Sequence, residues 1–464
     1  MKKLILLSSA ILYSVFLSAL AWAQTGAFPS IEPFNKKDRV LVLAPHPDDE
    51  NIGCGGVIQR ALKSGAKVKI MYLTNGDHNE FAFIVYEKRL VVRNPAFVAM
   101  GKVREEEAKK AMQILGVAES DLIFLGYPDY GTKNMFFYSW EDNAPFRDRL
   151  TRQSYVPYKE APSYGAPYKS EHILADLEKV LITYKPNKIF VSHPADVNGD
   201  HWAYYCFLQV ALQDLRKQLA EPKLYVYFVH APGWPTPRHY HPQLELEPSA
   251  KHFPDALVNW SSFKLTEDEI DKKYKAMLAY KSQTCVSAFY LLAFVRQNEI
   301  FGDYPLILLK KQKSARLKGR DVFNDDKRIS YAVVDDYFWV RVRKPQELRS
   351  RLFFRFYFFG YKDNVPYNKM PNICVRTRKD KVAVEELNLK KNLGPQGTSA
   401  QLKGEHFILK VPLKLLGDPD FILTCVMTDK TFLPLDAAGF RRVKILEGLG
   451  RIEEEITRDL SLSN

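Results

Sequence analysis

The chain has 464 residues, of which 46% are apolar and 26% charged. That length exceeds one ordinary core and the composition is globular, which excludes a disordered chain and points to two domains. A formal net charge of +13 would suit a polyanion, but no nucleic-acid motif accompanies it, and part of the excess is a local run between Lys310 and Arg328 that reads as a solvated linker face. The five cysteines, Cys54, Cys206, Cys285, Cys374 and Cys425, show no CxxC spacing, which argues against a thiolate-bound zinc and a dense disulfide framework.

In chain order, the first feature is a leader. Lys2 and Lys3, the apolar stretch Leu4 to Leu20 and the small-x-small site Ala21-Trp22-Ala23 read as a signal peptide over residues 1–23, so an exported protein, periplasmic or extracellular, is expected. An uncleaved anchor is the alternative, because the apolar run approaches spanning length. Arg39 to Leu43 is a short β-branched run that predicts a buried strand, followed by a polar turn and helical spacing from Gly56 to Lys63. Val68 to Leu73 predicts a second strand, Glu105 to Leu115 a helix stopped by Gly116, and Leu122 to Leu125 a third strand. Pro128 to Tyr168 is rich in Tyr and Pro without periodicity and reads as a long loop of the kind that lines a cleft.

A helix over His172 to Thr183, a strand over Lys188 to Ser192, a helix over Ala203 to Gln218 and a strand over Leu224 to Val229 follow. Strands alternating with helices predict an α/β domain over residues 36–305, Rossmann-like, with a mostly parallel sheet flanked by helices. Residues 306–327 read as a basic linker. Beyond it, Tyr331 to Val342, Arg351 to Phe359, Asn372 to Arg376, Glu405 to Val411 and Phe421 to Met427 are aromatic and β-branched runs between turn residues. They predict an all-β, sandwich-like C-terminal domain over 328–450, with their aromatics as its core rather than a carbohydrate platform, and a tail over 451–464.

The residues with the most chemistry are His46-Pro47-Asp48-Asp49-Glu50, directly after the first predicted strand, where open parallel sheets place ligands. One imidazole and three carboxylates at close range demand raised pKa values or a cation. Without thiolates, His and Asp ligation suits zinc. A second cluster, His193-Pro-Ala-Asp196-Val-Asn198-Gly-Asp200-His201, follows the fourth strand and opens on the same edge of the sheet. His201 completes a His/Asp/His set with two residues of the first turn, and Asp200 and Asp196 are placed to fix imidazole tautomers. The Gly53-Cys54-Gly55-Gly56 run lacks the GxGxxG spacing, so a dinucleotide cofactor is rejected and the glycines are expected to turn the backbone into the helix.

His46-Pro47-Asp48-Asp49-Glu50 resembles the HPDDE signature of the PIG-L/LmbE-like N-deacetylase family, and Asp200-His201 is similar to the end of its HxDH motif. Further resemblances run in order through Thr74-Asn75-Gly76, Arg104 with Glu107, Leu115-Gly116-Val117, Leu125-Gly126-Tyr127-Pro128-Asp129, Tyr225 to His230, Trp234-Pro235, Tyr280 to Gln283 and Phe294-Val295-Arg296, about residues 39–302 in all. The resemblance implies one zinc, or another divalent ion, on His46, Asp49 and His201, Asp48 as general base, and Arg104 on the sugar. It implies removal of an acetyl group from an N-acetylated saccharide or glycan as the activity. The first His of HxDH is Asn198 here, so the oxyanion donor stays open among Asn198, His193 and His230. Asp129 and His193 join Arg104 as candidate substrate contacts; a pairing of Arg104 with Glu107 at i,i+3 is the structural alternative. A metal-retaining glycan-binding protein and a zinc amidase for a non-sugar amide are the competing functions. Neither nucleic acid nor a stable membrane partner is expected.

Overall fold

The chain begins its sheet at β1, Arg39–Ala44, whose run RVLVLA is buried along nearly its whole length. It is followed by β2 (Lys67–Thr74), β3 (Leu122–Tyr127), β4 (Lys188–Ser192), β5 (Lys223–Tyr227), β6 (Asn259–Lys264) and β7 (Asn298–Asp303). These seven strands order as β3-β2-β1-β4-β5-β7-β6. The first five pair in parallel, while β7 runs antiparallel to both β5 and β6. Helices α1 (Asp49–Lys63), α2 (Asn94–Leu115), α3 (Thr132–Tyr138), α4 (Ser170–Tyr184), α5 (Gly199–Leu215), α6 (Glu267–Met277) and α7 (Lys281–Leu291) belong to this part of the chain. A sheet covered on both faces has no polar side to show, which is why its central strands are continuous apolar runs. The computed structural model describes residues 28–78, 85–86, 94–250, 252–253, 258–317, 321–323, 327–343, 353–428 and 439–446. The leader read over 1–23, the tail over 451–464 and residues 318–320 and 324–326 of the basic run lie outside the described residues.

The strand order matters for the site. From β1 the chain moves to one side through β2 and β3, then returns to the other side of β1 with β4 and β5. The carboxyl ends of β1 and β4 are neighbours at that reversal, the place where loops diverge and leave a crevice. The turn after β1 carries residues 46–50 and the turn after β4 carries residues 193–201, so the two clusters meet at one rim.

Several elements differ from the sequence expectation. Helix α1 starts at Asp49, so Gly53, Gly55 and Gly56 lie inside it instead of turning into it. They serve close approach: a Cβ on Gly53 would lie 2.5 Å from the Tyr227 ring, and one on Gly56 2.6 Å from Leu265. The segment 128–168 is not all loop, since it contains α3. The segment 306–327 is not all linker, because β8 (Ile307–Gln312) alternates half-buried Ile307 and Leu309 with exposed Leu308 and Lys310. That alternation was hidden by the lysines on its open face.

The remaining strands are β9 (Ile329–Val334), β10 (Tyr337–Arg343), β11 (Phe353–Tyr361), β12 (Asn372–Arg378), β13 (Lys381–Glu386), β14 (Lys391–Asn392), β15 (Ser399–Lys403), β16 (His406–Pro412), β17 (Phe421–Thr428) and β18 (Arg441–Leu446). With β8 they order as β14-β13-β12-β11-β17-β18-β8-β9-β10-β16-β15. The sheet folds over on itself, so that Phe354 of β11 meets Phe407 of β16 at 5.1 Å and Phe358 meets Phe338 of β10 at 5.8 Å. Strand periodicity sends alternate side chains of β11 to opposite faces. Phe354, Phe356 and Phe358 fill the sandwich. Tyr357 and Phe359 face the α/β part, where Phe137 stacks on Tyr357 at 5.0 Å and Phe136 meets Phe359 edge-on at 5.2 Å. The two parts therefore share one apolar core.

Candidate metal centre

The turn after β1 is held by its own backbone and by α1. Asp49 is the first residue of α1, where the helix dipole favours a carboxylate, and its Oδ2 accepts from the His46 backbone N–H at 2.9 Å. Asp48 stands at φ 123°, ψ −29°, a region that non-glycine residues rarely occupy. Such a conformation costs on the order of 1–3 kcal/mol and persists where the surroundings impose it. Here the surroundings are named: the Asp48 N–H donates to Glu50 Oε2 at 3.0 Å, and Arg104 Nη2 reaches both the Pro47 carbonyl at 2.7 Å and Asp48 Oδ2 at 3.3 Å. The Tyr280 hydroxyl donates to Glu50 Oε1 from the other side.

Around this turn three side chains converge. His46 Nδ1 lies 3.1 Å from Asp49 Oδ2, and His201 Nε2 lies 3.2 Å from the same oxygen. The ligand atoms of His46, Asp49 and His201 all fall within 4.8 Å of one another, and the three residues are buried. The opposite ring nitrogens face carboxylates: His46 Nε2 is 3.0 Å from Asp129 Oδ1 and 3.3 Å from Asp200 Oδ2, and His201 Nδ1 is 3.3 Å from Asp196 Oδ2. Among the described residues neither nitrogen of His201 makes a hydrogen bond, although the side chain has no exposed surface. A buried imidazole left this way can serve as a ligand, with its other nitrogen facing a carboxylate. Two imidazoles and one carboxylate with no thiolate are a donor set that zinc accepts at three-ligand sites.

The charges support the same reading. Burial pushes the Asp48 carboxyl up to about 7 while Arg104 pulls it down, and burial raises Glu50 to about 8. Burial also opposes ionisation of Asp49, but His201 and His46 beside it hold its carboxyl well below the usual range. For Asp129 and Asp196, burial is outweighed by the neighbouring imidazoles, His46 in one case and His201 with His230 in the other, and each is held at about 2. So dense a set of carboxylates in a space closed to solvent suits a divalent cation.

The other candidate residues separate clearly. His230 belongs here: its Nδ1 is 3.1 Å from Asp196 Oδ1, its ring is 4.6 Å from that of His201, and its side chain is 31% exposed. Asp196 also accepts from the His230 backbone N–H at 2.8 Å, so one carboxylate orients both imidazoles. Asn198 is the N-cap of α5, its side-chain oxygen accepting from the Asp200 N–H at 2.9 Å. Asp200 accepts from the Tyr130 and Thr132 N–H groups and so ties the start of α3 to His46. Asp129, expected on the substrate, is buried against His46 and accepts from the His78 N–H at 3.0 Å. Arg104, also expected on the substrate, is buried, with Nη1 on the Gly76 carbonyl at 2.9 Å and Nη2 on residues 47 and 48. Glu107 pairs with Ser282, accepting from its N–H at 2.9 Å and its hydroxyl at 2.6 Å.

His193 is a correction. It has no exposed surface, its Nδ1 accepts from the Ala195 N–H at 3.0 Å, and its ring is walled by Phe228, Phe253, Trp260 and Tyr304 at 5.0–6.3 Å. Burial, with the charges of Arg441 and His252 nearby, pushes its imidazole pKa well below the ordinary value. A side chain so enclosed does not touch a sugar. Tyr130 is the residue that sequence reasoning missed: it is 57% exposed, with its ring centroid 6.4 Å from that of His46 and 5.5 Å from that of His78. Its only signal in the sequence was membership of the Tyr-rich segment after β3.

The PIG-L family, described as GlcNAc-PI de-N-acetylase, matches residues 41–212, which span both turns. A diacetylchitobiose deacetylase of Thermococcus kodakarensis is 36% identical over 95 residues, 20% of this chain and 32% of that protein. The chain thus spans about a third of that relative's length. A 1D-myo-inositol 2-acetamido-2-deoxy-alpha-D-glucopyranoside deacetylase of Kribbella flavida is 25% identical over 293 residues, 57% of this chain and 89% of that protein. Among solved structures, an N,N'-diacetylchitobiose deacetylase from Pyrococcus horikoshii matches with 19% identity and a TM-score of 0.33, covering 56% of this chain and 82% of that one. Residues 41–212 are a domain of the PIG-L, GlcNAc-PI de-N-acetylase, family.

Proposed function

We propose that this chain is a zinc-dependent hydrolase that removes the acetyl group from an N-acetylated sugar or glycoconjugate of the N-acetylglucosamine type, and that it acts after export directed by residues 1–23. The observation that carries the reading is the convergence of His46, Asp49 and His201 with both His201 nitrogens left without hydrogen bonds. The relatives whose names mention an acetamido sugar or diacetylchitobiose support the substrate class.

His46, Asp49 and His201 hold the ion. When bound, zinc supplies a Lewis acid that polarises an acetamide carbonyl and stabilises charge on its oxygen. Asp48, braced by Arg104 at 3.3 Å, takes the proton of the attacking water and returns it to the departing amine. His230, oriented by Asp196 and partly open to solvent, donates to the carbonyl oxygen as negative charge develops there. His230 takes this role from its place 4.6 Å from the His201 ring, whereas Asn198 caps α5 through its amide oxygen and keeps its Nδ2 as the alternative donor. Tyr130 offers an exposed ring beside His46 on which the apolar face of a pyranose can lie.

The test is acetate release from N-acetylglucosamine oligosaccharides and from acetylated peptides by the zinc-loaded full chain. Release from the sugars alone supports the reading. Release from peptides alone replaces the substrate class, and zinc uptake with release from neither points to a glycan-binding protein.

A further inference from the structure

We infer that the C-terminal sandwich is a positioning scaffold for the metal centre, and that Gly439 and Phe440 are the positioning residues that set the loop supporting its third ligand. The inference rests on the reading that His46, Asp49 and His201 hold a metal.

The contact is backbone against backbone. A Cβ on Gly439 would lie 2.3 Å from Ala195 N and from the carbonyl carbon and oxygen of Pro194. Gly439 is absent from the positive-φ glycines, so what it supplies is space rather than an unusual conformation. Pro194 and Ala195 are the two residues between His193 and Asp196, and the Asp196 N–H closes that turn on the His193 carbonyl at 3.0 Å. Asp196 in turn faces His201 Nδ1 and His230 Nδ1. The chain of contact from Gly439 to a metal ligand is therefore two residues of turn and one carboxylate.

Phe440, fully buried, adds a second hold. Its ring lies 5.2 Å from that of Trp202, the neighbour of His201 at the start of α5, and 5.4 Å from Phe359 of β11. The other side of the centre leans on the same face. Helix α3, whose first residue Thr132 donates to Asp200, rests Phe136 and Phe137 on Phe359 and Tyr357. Beyond Phe440, Arg442 fastens the strand to the end of β7 through Asp303 at 2.8 Å. The sandwich thus touches the turn after β4, the start of α5 and α3, which are the elements that orient His201, His230 and the far side of His46.

The experiment uses the full chain and three variants. Gly439→Ala pushes on the 194–195 backbone; Phe440→Leu removes the ring under Trp202 without adding atoms. Tyr361→Phe removes the hydrogen bond from Tyr361 to Asp214, 2.8 Å long, at the same interface away from the turn. Zinc affinity is measured by competition with a chromophoric chelator, and the thermal transition of the metal-free protein is recorded alongside. Gly439→Ala is expected to weaken zinc by about 10-fold or more and Phe440→Leu by several-fold, the range for residues that orient metal ligands. Tyr361→Phe is expected to lower the transition and leave zinc affinity unchanged. Equal zinc affinity in wild type, Gly439→Ala and Phe440→Leu overturns the inference, and so does a Tyr361→Phe loss as large as theirs. If Gly439→Ala does not fold, the comparison of Phe440→Leu with Tyr361→Phe decides alone. A wild type that takes up no divalent ion sinks the metal reading itself.

Discussion

His201 Nε2 lies 3.2 Å from Asp49 Oδ2, yet among the described residues neither nitrogen of His201 makes a hydrogen bond. The two groups are close without being aligned as donor and acceptor, a relation that suits two ligands of one ion. His201→Ala should therefore lose divalent metal when the purified protein is analysed, and with it acetate release. A strong chelator should have the same effect on the wild type, reversed by added zinc. Full metal content in His201→Ala would remove that residue from the ligand set.

Asp48 precedes Asp49 in the turn, and its carboxylate is held by Arg104 Nη2 at 3.3 Å. Asp48→Asn should keep zinc at wild-type stoichiometry while kcat falls by about 10²- to 10⁴-fold, the usual contribution of a general base. Metal analysis and steady-state kinetics on the same preparation separate the two effects, and undiminished turnover would end the base assignment.

Asp196 steers two imidazoles at once, with His201 Nδ1 at 3.3 Å and His230 Nδ1 at 3.1 Å. Asp196→Ala should weaken zinc by about 10- to 100-fold. Asp129→Ala, which strips the nearer of two carboxylates from His46 Nε2 and leaves Asp200, should weaken it by less. If Asp129→Ala instead raises KM and leaves zinc affinity alone, the carboxylate serves the sugar and not the imidazole.

Tyr130 is exposed at the edge of the centre. Tyr130→Ala should raise KM for an oligosaccharide by about 10-fold with kcat nearly constant, as expected for loss of an aromatic stacking surface. Tyr130→Phe should keep the wild-type KM. A fall in kcat in both variants would assign the hydroxyl, not the ring.

Glu178 and Asp214 lie near the join between the two parts of the chain. Burial and the neighbouring Asp214 raise Glu178 from its ordinary 4.5 to about 7. The folded state then binds that proton more tightly than the unfolded chain, so the stability from this group is full below the unfolded value and is lost as the pH rises through about 7. Relative to wild type, Glu178→Gln should gain stability as the pH rises from about 5 to about 8 in chemical denaturation. Parallel curves would exclude the shared proton.

Much of the site was readable before folding because strand, turn and ligand are contiguous. Residues 46–50 follow an apolar strand, and 196–201 follow another, so placement at strand ends required only the period of each run. The same holds for the sandwich, whose inward Phe354, Phe356 and Phe358 alternate with outward Tyr357 and Phe359. Roles that depend on who stands opposite were misread. His193 has the same residue type and sits on the same loop as the other candidates, but an aromatic wall contributed by residues 228, 253, 260 and 304 encloses it. Arg104 was expected on the substrate, and only the folded chain places its Nη1 and Nη2 on the carbonyls of Gly76 and Pro47.

By itself the sequence indicated β1 to β5, their main helices and most of the sandwich strands, though not α3, α6, α7, β6, β7 or β8, because local periodicity and turn chemistry are properties of neighbours along the chain. It also pointed to one kind of site, because two imidazole-and-carboxylate turns without thiolates admit few uses. Only the tertiary structure decided that Asp129 and Asp200 share His46, that Asp196 serves two imidazoles, and that a glycine at position 439 abuts the turn at 194–195. Those pairings join residues far apart in the chain, and no local pattern encodes them. They exist because the strand order brings the turns after β1 and β4 to one rim, while the sandwich and the parallel sheet bury one aromatic face between them.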